Sequence, residues 1–163
     1  MIRSFLVCVF AVMGTGAYAD MKVALGAPWD GKTIPAGQHC TLHGGKGATP
    51  PMAISNLPEG TAMVVVEYND RSYRPLSRNG SHGTLGYPVK GTSATLPAVP
   101  GMTDRLPKGV VVVRKAQSTG DYASAGYLPP CSGGRGNIYE AVIKAVGSNG
   151  KVLEKTKVKL GRY

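Results

Sequence analysis

Apolar and β-branched residues recur along the chain in runs of strand length, separated by Gly and Pro, and no window sustains a helical period. The clearest runs cover residues 61–68, 84–89, 110–114, 138–146 and 152–160. "VVVEY" and "GVVVVRK" do not alternate, which predicts central strands buried on both faces. "NIYEAVIKAV" alternates: Tyr139, Ala141, Ile143 and Ala145 make a wholly apolar row that should look inward, while Ile138, Glu140, Val142, Lys144 and Val146 share the other side. "GSNGK", between the last two runs, reads as a hairpin turn. With 23 Gly and 12 Pro the connections are long, and repeats are absent. The expected class is all-β, a Greek-key β-sandwich with few or no helices.

The first residues follow a different pattern. Arg3, an apolar run over residues 5–13 and small residues at Ala17 and Ala19 read as a signal peptide over residues 1–19, with cleavage before Asp20. The apolar run is shorter than the ~20 residues needed to span a bilayer. Residues 20–163 are then expected to form one domain, exported to a periplasm or secreted, with no transmembrane segment. The formal net charge is +10, or +9 once Arg3 leaves with the leader, which favours anionic partners. Lys155, Lys157 and Lys159 alternate along the last run and share one face. A solvated strand face accounts for them; a nucleic-acid surface would interleave aromatics there, and none are present, so nucleic acid is not an expected partner.

Cleavage would leave Cys40 and Cys131 as the cysteines of the exported chain, an even pair that predicts a disulfide. "HCTLH" offers a competing metal site through His39, Cys40 and His43. Neighbours on an extended chain point apart, however, and no further Cys-x-x-Cys or His pair completes a tetrahedral set, so the bridge is preferred and no metal or other cofactor is expected. Signatures of catalysis are missing: no Gly-x-Ser-x-Gly elbow, no phosphate-binding glycine loop and no helical His–Glu pair. Ser81 adjoins His82, but strand neighbours cannot form a nucleophile–base bond. A non-enzyme is expected.

Four segments in order, "IPAGQHCTLHGGKGATPPMAISNLPEGTAMVVVEYND", "SHGTLGYPVKG", "LPKGVVVVRKAQSTGDYASAGYLPPCSGGRGNIYEAVIKAV" and "VLEKTKVKLGRY", resemble the phosphatidylethanolamine-binding protein family, in its bacterial Raf-kinase-inhibitor-like branch. The resemblance implies a sandwich of a larger and a smaller sheet with an anion pocket at one end of the larger. It aligns Asp70 with the first acid of the family's Asp-Pro-Asp-Ala-Pro motif, and Ser72 or Tyr73 with the second. His82 stands for the histidine of a His-Trp pair whose tryptophan is here Gly83, and Asn137 and Tyr139 stand at the ends of a His-Arg-Tyr motif. Cys40 and Cys131 fall in family positions. By the same resemblance Asp70, His82, Asn137, Tyr139 and Pro130 would line a small cavity for a small anionic ligand or phospholipid headgroup. Arg135 or Arg71 would supply the charge lost with the second histidine. The alternative is a secreted interaction or inhibitor protein that meets a protein partner through its basic surface and loops.

Overall fold

The computed structural model describes residues 20–163, so the signal-peptide reading of residues 1–19 lies outside the described residues. The strands are β1 (Lys22–Leu25), β2 (Met52–Ser55), β3 (Thr61–Asp70), β4 (Thr84–Pro88), β5 (Ser93–Leu96), β6 (Val111–Arg114), β7 (Ile138–Gly147) and β8 (Val152–Arg162). They form two antiparallel sheets, one of three strands ordered β1-β2-β5 and one of five ordered β6-β4-β3-β7-β8. The only helical pieces among the described residues are three-residue 3-10 turns at Thr41–His43, Arg74–Leu76 and Gly120–Tyr122. No described helix is long and apolar enough to cross a membrane.

The core lies between the sheets and follows from the period of two. On β3 the residues Val64, Val66 and Tyr68 are buried, on β7 Tyr139, Ala141, Ile143 and Ala145, and on β4 Leu85 and Tyr87. Against them pack Met52 and Ile54 of β2 and Leu96 of β5, with Trp29, Ile34, Leu57, Val99 and Leu160 closing the edges. Each fully buried side chain of this size contributes about 1.5–3 kcal/mol of transfer free energy. Tyr68 and Tyr127 add a tilted ring pair with centroids 4.6 Å apart.

Two strand readings need correction. β3 is the central strand, but it is not buried on both faces: Val65 and Glu67 are only half-buried on the outer side, where Lys144 reaches the Glu67 carboxylate at 2.6 Å. β6 is an edge strand that pairs only with β4, and Val111 and Val113 remain 43 % and 52 % exposed. Their side chains lie over Gly86 on the outer face of the sheet, where no second layer covers them among the described residues. The valine run was therefore a signal of strand propensity and not of burial. The inward row of β7 is as expected, and the β7–β8 turn closes through the Gly147 amide on the Lys151 carbonyl at 2.9 Å. Lys155, Lys157 and Lys159 are exposed on β8, the other edge strand, where charge discourages pairing with foreign strands.

Candidate functional site

Antiparallel order brings the end of β3 beside the beginnings of β4 and β7, so residues far apart in sequence meet at one end of the large sheet. Asp70 closes β3, His82 sits two residues before β4, and Asn137 precedes Ile138, the first residue of β7. A cavity of about 800 Å³ opens there, lined by Asp70, Ser72, His82, Arg135, Asn137 and Tyr139 among others.

Asp70 organises the rim. One carboxylate oxygen accepts the backbone amides of Ser72 at 2.9 Å and Tyr73 at 3.1 Å, and the other accepts the Asn137 side-chain amide at 2.6 Å. An aspartate that ends a strand commonly turns the chain by taking the amides two and three residues on. The Ser72 hydroxyl in turn accepts the Ile138 amide at 3.0 Å, tying the post-β3 loop to β7. Asn137, where the resembling family carries a histidine, thus spends an N–H on Asp70.

His82 is held from both sides of the following loop. Its carbonyl accepts the Leu128 amide at 2.8 Å, and its ring Nδ1 lies 2.9 Å from the Leu128 carbonyl. A carbonyl oxygen only accepts, so Nδ1 carries the proton and Nε2 is the lone-pair nitrogen of the neutral ring. Nε2 is buried and has no hydrogen-bond partner among the described residues. The ring meets the edge of Tyr139 with centroids 5.5 Å apart and planes at 80°. Burial holds the His82 pKa below its ordinary 6.5, opposed by the Leu128 carbonyl and the Asp70 charge. Since the unfolded chain then binds the proton more readily, this residue's contribution to stability is present above about pH 6.5 and is lost as the pH falls below it. Urea unfolding across that range should show the decline in wild type and a smaller one in His82→Gln; identical profiles would refute the assignment.

Tyr139 is buried, and its hydroxyl accepts the Cys131 amide at 3.1 Å. Burial pushes its pKa well above the ordinary 10, so the phenol remains a neutral donor throughout the physiological range. Cys131 is bonded to Cys40, with Cα atoms 5.2 Å apart, and this bridge anchors the cavity loop to the 37–47 loop. The expected disulfide is therefore present.

Other expected contributors lie elsewhere. Pro130 is buried behind the loop and does not line the cavity; its carbonyl accepts the Cys40 amide at 3.0 Å. Arg71 turns away to donate to the Ser77 carbonyl at 2.7 Å, whereas Arg135 does reach the cavity rim. His43 lies beside the bridge, within 4.8 Å of both sulfurs, because the 3-10 turn over Thr41–His43 folds it back toward Cys40. The sequence argument from extended neighbours missed this placement, although the disulfide uses both sulfurs. Also unanticipated were Gln117, Ser118, Thr119 and Tyr122 on the cavity wall. They come from a polar loop without a motif, pinned by the Gln117 amide on the Ser81 carbonyl at 2.9 Å.

The sequence matches no protein-family model, and no curated protein matches it. Solved structures do match in fold. The YbcL protein of E. coli, described as a new member of the mammalian PEBP family, aligns over 89 % of this chain and 98 % of its own with a TM-score of 0.58 and 21 % identity. A phosphatidylethanolamine-binding protein homologue from Chlamydia trachomatis aligns over 88 % and 96 % with a TM-score of 0.51 and 18 % identity. The two-sheet sandwich of this chain is thus the fold of those proteins.

Proposed function

We propose that this chain, built on the fold of the phosphatidylethanolamine-binding proteins, is an exported, non-catalytic binding protein whose cavity takes a small ligand bearing a phosphate-type group. The observation that carries this reading is His82, which lines the 800 Å³ cavity and whose Nε2 is buried and has no hydrogen-bond partner among the described residues. A buried polar atom left unpaired in this way costs about 1–3 kcal/mol, which a ligand group can recover. Arg135 at the rim contributes positive charge, and Ser118 and Thr119 on the wall contribute hydroxyls. Export is supported by the Cys40–Cys131 bridge, which belongs to an oxidising compartment, together with the leader pattern. The non-catalytic reading is supported by the His82 ring: its protonated nitrogen is committed to a backbone carbonyl, and among the described residues no serine hydroxyl bonds the other.

The tautomer constrains the ligand. With Nδ1–H given to Leu128, the neutral ring offers only an acceptor, so the ligand must donate. A phosphate monoester monoanion does so through its P–OH; equally, the dianion can be met by the imidazolium. In both descriptions the complex holds one proton more than neutral ring plus dianion. Affinity should therefore rise as the pH falls toward the second phosphate pKa, at about 6.

Calorimetric titration with phosphoethanolamine tests this. Binding should be tighter at about pH 6 than at about pH 8, and His82→Ala should weaken it by about tenfold or more while the far-ultraviolet spectrum is retained. Unchanged affinity in that variant, or tighter binding at the higher pH, would exclude the reading.

A further inference from the structure

Beyond the cavity at His82, a second concavity of about 440 Å³ is lined by Arg74, Pro75, Arg78, Asn79, Arg114 and Gln117. It shares Pro75 and Gln117 with the first cavity, and neither Asp70 nor His82 belongs to it. Its three arginines come from separate places: Arg74 opens the 3-10 turn after β3, Arg78 follows that turn, and Arg114 ends the edge strand β6. Like charges gathered around one concavity repel, and proteins ordinarily relieve this with a carboxylate. None lines this cleft, and the ion pairs among the described residues are Lys144–Glu67 and Lys157–Glu140, which leave all three guanidinium groups without a counter-charge.

The scaffold beneath is fixed by hydrogen bonds. Arg114 donates to the Asn79 carbonyl at 2.9 Å, which spans the cleft floor from β6 to the loop. Arg71 donates to the Ser77 carbonyl, bracing the same loop from the other side. The Gly80 amide donates to the buried Asn69 side chain at 2.9 Å, so the loop is moored to the end of β3. One arginine is thus oriented by a backbone contact, and the Arg74 and Arg78 side chains flank it without a hydrogen-bond partner among the described residues.

We infer that this cleft is a binding site for a compact soluble polyanion carrying two or three phosphate groups in succession. A guanidinium fork pairs with phosphate oxygens through two parallel N–H···O bonds, and three forks around a cleft of small-molecule size match several adjacent phosphates better than a single one. The cleft adjoins the His82 cavity but uses neither His82 nor Asp70, and the inference does not rest on the function proposed for that cavity.

The test is calorimetry with tripolyphosphate and orthophosphate on the protein at moderate ionic strength. Tripolyphosphate should bind more tightly than orthophosphate, with an affinity that falls as salt is added. Replacing all three arginines by glutamine should weaken tripolyphosphate at least about tenfold, since it removes the charged hydrogen bonds that hold the phosphates. Arg74→Lys, Arg78→Lys and Arg114→Lys combined retain the charge but lose the forks, and should fall between wild type and the glutamine variant. All three arginines are exposed, so folding can be verified by circular dichroism. An excess of phosphoethanolamine should not displace tripolyphosphate. The inference is overturned if tripolyphosphate does not bind wild type, if the glutamine variant binds it as well as wild type, or if phosphoethanolamine displaces it, which would place the polyanion in the neighbouring cavity.

Discussion

Joint replacement of Cys40 and Cys131 by alanine is expected to remove about 2–5 kcal/mol of stability, the usual cost of losing a native bridge from a domain of this size. The two cysteines are 91 residues apart in sequence, and cross-linking a loop of that length strongly restricts the unfolded ensemble. The folded state also depends on the bridge, because the Cys131 amide is held on the Tyr139 hydroxyl and the Cys40 amide on the Pro130 carbonyl. Without the covalent tie, the two loops would keep the Cys40 amide on the Pro130 carbonyl as their hydrogen-bonded link at the back of the cavity. Urea unfolding should therefore show a lower midpoint for the double variant and for reduced wild type, with the variant insensitive to reductant. Equal midpoints for oxidised wild type and the variant would show that the bridge contributes nothing.

Gly83→Ala should be of comparable severity, at about 3 kcal/mol or more, combining backbone strain with a steric clash. Gly83 has φ +112°, a region that L-residues rarely occupy. A Cβ there would lie 2.7 Å from the Gly126 carbonyl oxygen and 2.9 Å from the Tyr127 Cα, both backbone atoms that cannot swing aside. Relief would require the 126–128 segment to retreat, and that segment holds His82 through both hydrogen bonds of Leu128. Loss of stability should thus be accompanied by loss of phosphoethanolamine binding. Gly91→Ala serves as the comparison: φ is +81° and the space around it is open, so only conformational strain of about 1–2 kcal/mol is expected. If both substitutions cost the same in thermal unfolding, the close approach at Gly83 is not what fixes the loop.

Gly83 also explains a departure visible in the sequence. Where the resembling family carries tryptophan after the histidine, this chain packs a loop backbone directly onto the strand entrance, and no side chain fits. The substitution was readable, but its cause was not, because the contact lies between segments some forty residues apart.

The large sheet was legible in the same uneven way. Runs of β-branched residues located β3, β4, β6, β7 and β8 to within two residues, since long strands impose a composition. β1, β2 and β5 have only four residues each, "KVAL", "MAIS" and "SATL", too few for a period to emerge, and their existence rests on pairing with one another and on Met52, Ile54 and Leu96 meeting the core. In the site, Asp70, His82, Asn137 and Tyr139 could be nominated through resemblance. The orphaned Nε2 could not, because it follows from the Leu128 carbonyl claiming the other nitrogen. Arg74, Arg78 and Arg114 carry no motif; they meet only because the loop after β3 lies beside the end of β6.

The hairpin joining β7 to β8 lies at the opposite end of β7 from Ile138 and Tyr139. Nine residue steps at about 3.4 Å each place its tip roughly 30 Å from the cavity. Asn149 is solvent-exposed there, and Gly150 occupies open space. A fluorophore or surface tether attached at that corner would leave the opposite rim unobstructed, so titrations and immobilised capture can be performed with every molecule presenting the same face.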